Sequence, residues 1–509
     1  MRWPTSPLND HYAPGNGQTQ SGKRVAAQKC WELRLVLAML CQVSSGLQAQ
    51  PSTNAYYQQA PVISPLRLLF TDQDDIAEVW GKLKFEASPL LVLGECEDPG
   101  FEIKCCVPGN GGVWDVYGYS GGHDIYGEKG DPTRTRSVWK IHHAETRDAV
   151  HYQKSEVVFT SEPGAWTHFA SIAHNPVKHE LVCIKGVLLR EGFCNHSFHS
   201  NDGHQWAPGS NNPIYYDGDS WGQLWSPRLN RFITTTKSFQ IVKKHLPDHG
   251  NTRTGQVRRV CSVRWSEDGD HWEPSAPVLI HKGAPLLPVD LLVTPDRDDP
   301  PDLEFYRGVG FGYSDRCFLQ MLNYAAIPDA VNPKLPNKHG PMIDTEWWYS
   351  REGIKWNRPF RETDATPEGV RIISHNPMII NGKLLFHFGK QLLGLAEDRI
   401  TGVSARANAE FSTTEFTAPT RPLSLNAEIP SPDRSHATNQ CYVMVAALDE
   451  HGRVLPHFER ERCILKKGNG IELPLKWEGK DTRELAGQKI RLRFFLRAAS
   501  IYSVRESTP

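Results

Sequence analysis

A seven-residue cluster, Ser-x-(Asp/Glu)-Gly-x-x-Trp, occurs three times in this chain. The copies are Ser200–Trp206, Ser266–Trp272 and, with Glu352 in the acidic place, Ser350–Trp356. A degraded copy runs from Thr146 through Asp148 to Tyr152. The aromatic residues that close the four copies are 54, 66 and 84 residues apart. Each copy reads as a hairpin turn in which Ser and Asp side chains bond the turn's own amides, Gly takes a positive φ, and the aromatic packs back between strands. A unit of this length, built from short strands and repeated in series, predicts a β-propeller.

A second rhyme supports this. Asn175-Pro176, Ser226-Pro227 and Asn376-Pro377 each follow an apolar stretch and precede another strand, where Pro fits the turn between a blade's first and second strands. The two marks divide the chain into five blades, at about 112–159, 166–216, 220–280, 302–360 and 369–412. Past Thr417 the texture changes to strands such as Tyr442-Val443-Met444-Val445 and Ile490–Leu496, separated by polar turns, which reads as a β-sandwich. The expected fold is therefore all-β: a five-bladed β-propeller over 67–416, followed by a C-terminal β-sandwich over 417–509. Residues 1–49 read as a leader and 50–66 as a linker.

The leader carries Arg24, Lys29 and Arg34 ahead of the apolar run Leu35–Val43, then small residues to Ala49. That order is a secretory signal, so the protein is expected to be exported. No stretch has the ~20 apolar residues of a membrane span. A formal net charge of −1 gives no electrostatic reason to expect nucleic acid or an anionic membrane as partner. Of 11 cysteines, nine lie beyond the leader, and Cys183/Cys194 and Cys441/Cys463 are placed so that either pair could be a disulfide or buried thiols.

Three stretches resemble the predicted glycosyl hydrolases related to glycoside hydrolase family 32: Arg259–Trp272, Asp302-Leu303-Glu304-Phe305-Tyr306, and Leu485–Phe494 with Ile501-Tyr502-Ser503. The resemblance covers about 67–505. It implies a five-bladed propeller with an appended sandwich, and carbohydrate as substrate. The acidic motifs that families 32 and 43 place on inner strands have no intact counterpart here, Trp114-Asp115 being the nearest. Roles therefore do not carry over residue by residue.

Glycoside hydrolysis needs one carboxylic acid for the leaving oxygen and one carboxylate as base or nucleophile. A propeller builds its central site at the end where the inner strands begin, opposite the Ser-x-Asp-Gly turns. Acids expected at that end are Asp115, Glu191, Asp219, Asp302 and Glu304, and the catalytic pair is sought among Asp115, Asp219 and Glu304. Trp114, Trp221 and Trp225 are candidate stacking faces for a sugar, or else packing between blades. Arg190 and Arg307, with Glu191 and Asp302, are candidates for binding its hydroxyls, or else solvated or ion-paired side chains. The histidines show no ligand-spaced cluster in sequence, so no metal and no organic cofactor is expected. A carbohydrate-binding propeller without catalysis is the alternative.

Overall fold

The computed structural model describes residues 65–121, 138–162, 167–189, 192–215, 220–241, 257–274, 292–300, 302–326, 339–370, 373, 376–431 and 441–507. The expected leader lies outside these residues. Among them the protein is all-β, with a few one-turn 3-10 segments, and no helix is long and apolar enough to cross a membrane.

Five antiparallel sheets follow one another along the chain. The first comprises Glu102–Pro108, Trp114–Gly121, Trp139–Thr146 and Gln153–Thr160. The second comprises Thr167–Asn175, Glu180–Leu189, Gly192–Ser200 and Ala207–Pro208. In the third, Ser220–Ser226, Arg231–Ile241, Val257–Ser266 and Trp272–Glu273 pair in order. The fourth has Leu303–Tyr313, Arg316–Ala326 and His339–Ser350. In the fifth, Met378–Ile380, Lys383–Phe388 and Gln391–Ala396 are completed by an N-terminal strand, Leu91–Glu95.

Apolar side chains pack each sheet on the next. Tyr117 and Cys105 meet Ile172 and Leu181 between the first and second sheets, and Ala173 and Val182 meet Trp225 and Phe232 between the second and third. The leading strand of the fourth sheet packs on that of the third, and Phe311 and Phe318 meet Leu384 and Phe386 of the fifth. Ile103 and Val116 meet Met378 and Leu392, which returns the series to its start. Each sheet is thus packed between two neighbours, the arrangement of a propeller.

The Ser-x-Asp-Gly turns join third to fourth strands. Ser200 Oγ accepts from Gly203 N at 2.8 Å, and Asp202 Oδ1 accepts from His204 N and Gln205 N at 2.8 and 2.7 Å. Ser266 and Asp268 repeat these bonds, with Gly203 and Gly269 at φ 75° and 81°. In the degraded copy Ala149 holds φ 63° without being glycine.

The sandwich draws on both ends of the chain. One of its sheets orders Lys84–Ala87, Thr401–Ala405, Ala499–Glu506, Leu423–Ile429 and Gly468–Pro474, with Arg67–Leu69 also on Ala499–Glu506. The facing sheet includes Ile76–Trp80, Ala409–Thr413, Lys489–Arg497 and Tyr442–Leu448. Phe70, Phe411, Leu425, Trp477 and Phe494 fill the space between them. Strands at 67–87 and 401–413, which sequence reading assigns to the propeller, hydrogen-bond into the sandwich sheets. Their short apolar runs suit either domain, and only pairing partners hundreds of residues away decide between them.

Ion pairs fasten the sandwich strands to the fourth sheet. Arg67 reaches Tyr313 Oη and Asp398 at 2.8 Å, and Arg316 makes two 2.8 Å bonds to Asp75. All nine described cysteines are buried thiols. Cys183 lies opposite Phe198 and Cys194 opposite Val187, so the register holds that pair apart. Cys441 and Cys463 share the sandwich core as thiols.

Candidate active site

Inner strands of the first four sheets begin at one end of the propeller, and the bulges lie near that end. The register shifts between Ile103 and Cys105, Lys185 and Val187, Ser220 and Gly222, and Phe305 and Arg307. A bulge bends its strand and re-aims side chains, as at the rims of many active sites. Charged residues collect here. Glu102 and Lys104 share one strand start, with Lys104 Nζ 2.5 Å from Glu102 Oε1. Arg307 Nη2 of the fourth sheet lies 3.7 Å from the same oxygen. The first and fourth sheets do not adjoin in the series, so this pair reaches across the central opening. The side chains of Glu102 and Arg307 are 40% and 31% exposed, whereas Lys104 is buried.

Burial raises the pKa of Glu102, but the charges of Lys104 and Arg307 outweigh it and hold the carboxyl down at about 2. Lys104 is pushed down to about 8 by burial, against the pull of Glu102, and its ammonium lies 5.2 Å from the Tyr119 ring centroid. Lys185, buried over the Trp139 ring at 4.6 Å, is likewise lowered to about 8 by burial. A cavity of about 180 Å³ adjoins this cluster at the seam of the first and fifth sheets, lined among others by Asp98, Phe101, Glu102 and His387.

Glu304 sits at the same end of the fourth sheet, fully buried. Its partner is Arg259 of the third sheet, Nη1 to Oε2 at 2.8 Å, rather than the neighbouring Arg307. The Arg259 guanidinium lies 5.8 Å from the Tyr306 ring centroid, and the Tyr306 and Tyr324 rings are 4.8 Å apart. Asp302, exposed, precedes this strand by one residue.

Asp115 is elsewhere. It pairs with Val107 just past the hairpin between first and second strands, and its Oδ1 lies 2.9 Å from His143 Nε2. Five strand positions separate Val107 from Glu102, roughly 16 Å at strand rise, so Asp115 belongs to the end that carries the Ser-x-Asp-Gly turns. Trp114, opposite Pro108, lies at that end too. The expectation that Asp115 opens the first blade began that blade one strand late. Glu102-Ile103-Lys104 puts charges at alternate positions, which disguises an inner strand as a polar loop. Trp225 is buried against Phe232, ring centroids 4.9 Å apart, and packs the second sheet on the third. Arg190, Glu191 and Asp219 lie outside the described residues, as does the side chain of Trp221.

The structure thus brings Arg307 together with Glu102 and Lys104, which sequence reading missed, and places Glu304 at the same end. It does not bring Asp115 to Glu304. The missed signal was a pair of opposite charges two residues apart inside an otherwise apolar run.

No family model matches the chain, and no curated protein matches it. Solved structures with similar folds include a glycosyl hydrolase from Bacteroides ovatus, at 13% identity and TM-score 0.32 over 62% of this chain and 94% of that one. An exo-beta-1,3-galactanase from Phanerochaete chrysosporium matches at 8% identity and TM-score 0.29, over 82% and 100%. The family 32 beta-fructofuranosidase of Bombyx mori matches at 10% and 0.28, over 79% and 78%. Likenesses this low fix neither family nor activity.

Proposed function

We propose that the protein is an exported glycoside hydrolase acting on a poly- or oligosaccharide where the inner strands begin, its five successive sheets serving as five blades. The observation that supports this best is the Glu102–Arg307 pair facing the opening from bulged strands. An ionised carboxylate at neutral pH is what the base or nucleophile of glycoside hydrolysis requires. Glu102, held at about 2, meets that requirement. Glu304 is the second carboxylate of the pair, and the tyrosines and Arg307 are groups on which a sugar ring and its hydroxyls could rest.

The test is sugar release from a broad panel of glycans by protein carrying residues 50–509. Release of a defined sugar is expected, falling by about 10²–10⁴ in Glu102→Gln and in Glu304→Gln, with thermal unfolding as the control for folding. A second reading, carbohydrate binding without hydrolysis, is favoured by one feature: each carboxylate already faces a cation, Glu102 facing Lys104 and Arg307 and Glu304 facing Arg259. It predicts no release from any glycan, with binding to some of them that weakens in Arg307→Ala.

A further inference from the structure

His143 is 3% exposed and its Nδ1 is buried without a hydrogen-bond partner. Its other nitrogen, Nε2, is 2.9 Å from Asp115 Oδ1. If Nε2 carries the proton and donates it to Asp115, Nδ1 presents a lone pair. That lone pair faces Glu156 Oε1 at 3.6 Å, and His204 Nδ1 faces the same oxygen at 3.3 Å. Two nitrogens and a carboxylate oxygen thus converge within 4.8 Å of one another. In that tautomer His143 Nδ1 and the Glu156 carboxylate turn lone pairs toward each other, a repulsion that a cation between them would relieve.

We propose that His143 Nδ1, His204 Nδ1 and Glu156 hold a divalent metal ion of the zinc class. Ligands bound tetrahedrally at zinc's usual 2.0–2.1 Å stand ~3.3 Å apart, close to the two measured edges. Imidazole and carboxylate donors suit zinc better than calcium or magnesium. Asp115 occupies the outer-shell place, a carboxylate that fixes the tautomer and orientation of a ligating histidine. This gives Asp115 a positioning role at the turn end, separate from the proposed glycan site. The ligands come from the third strand of the first sheet, its fourth strand, and the Ser200–Trp206 turn of the second sheet. The ion would clip two neighbouring sheets together. Glu156 and His204 are about half exposed, leaving an entry path and room for water as the fourth ligand.

The full chain, stripped with a chelator and dialysed, would be titrated with Zn²⁺ against a chromophoric competitor. One equivalent of competitive binding is expected, accompanied by a rise in the thermal midpoint. His204→Ala and Glu156→Gln, both at exposed positions, should lose that equivalent and the rise. Asp115→Asn should weaken it by about 10–100-fold. Zinc binding undiminished in both His204→Ala and Glu156→Gln, or no competitive equivalent in the unaltered chain, would overturn the assignment.

Discussion

At the scale of single residues, two positions carry sharp consequences. Arg259 and Glu304 form a buried pair, and removing one partner of such a pair takes away a countercharge against which the other was buried. Arg259→Met should therefore cost about 3–5 kcal/mol in urea unfolding, and pairing it with Glu304→Leu should restore most of that. Gly269 holds φ 81°, and a Cβ there would come within 2.8 Å of Val182. Gly269→Ala should lower stability by about 1–3 kcal/mol, read as a fall in thermal midpoint. This turn was legible in sequence because everything that forms it lies within seven residues. The Glu102 cluster was not, because Arg307 lies 205 residues from Glu102 and no local pattern announces a charge placed across an opening.

At the scale of elements, His387 joins the fifth sheet to the first. Its Nε2 lies 2.7 Å from both the Ala149 carbonyl oxygen and the Tyr152 hydroxyl, inside the degraded turn. Burial pushes its pKa down to about 4, opposed in part by the Ala149 carbonyl. An unfolded histidine titrates near 6.5, so between about 6.5 and 4 the unfolded chain binds the proton that the folded chain refuses. Stability from this group is complete above about 6.5 and fades as pH falls toward 4, by on the order of 3 kcal/mol. Denaturation midpoints measured at about pH 7 and pH 4.5 should converge in His387→Gln relative to the unaltered chain. The repeat turns and the Pro turns together marked the successive units, yet they placed the first blade's leading strand wrongly, since that strand holds neither mark and mixes charges with apolar residues.

For the whole molecule, the sandwich cannot be cut away where its sequence texture begins. Strands at 67–87 and 401–413 supply parts of both its sheets. A fragment of residues 417–509 should therefore remain unfolded by circular dichroism, whereas residues 65–509 should fold and unfold as one cooperative unit. The fold class was legible from periodicity and turns. The interleaving of the two domains was not, because pairing between chain ends leaves no trace in local composition.

Leu91–Glu95 is hydrogen-bonded to Gln391–Ala396, and Arg67–Leu69 to Ser503–Arg505. During synthesis the ribosome delivers the first member of each pair hundreds of residues before the second. The nascent chain must carry those strand edges unpaired until their distant partners emerge. Successive sheets can form as they emerge, but closure waits for strands that arrive long afterwards. The emerging chain is consequently a demanding client for holding chaperones, and losing the strand Ala499–Glu506 would be as damaging as losing one from the middle of the chain.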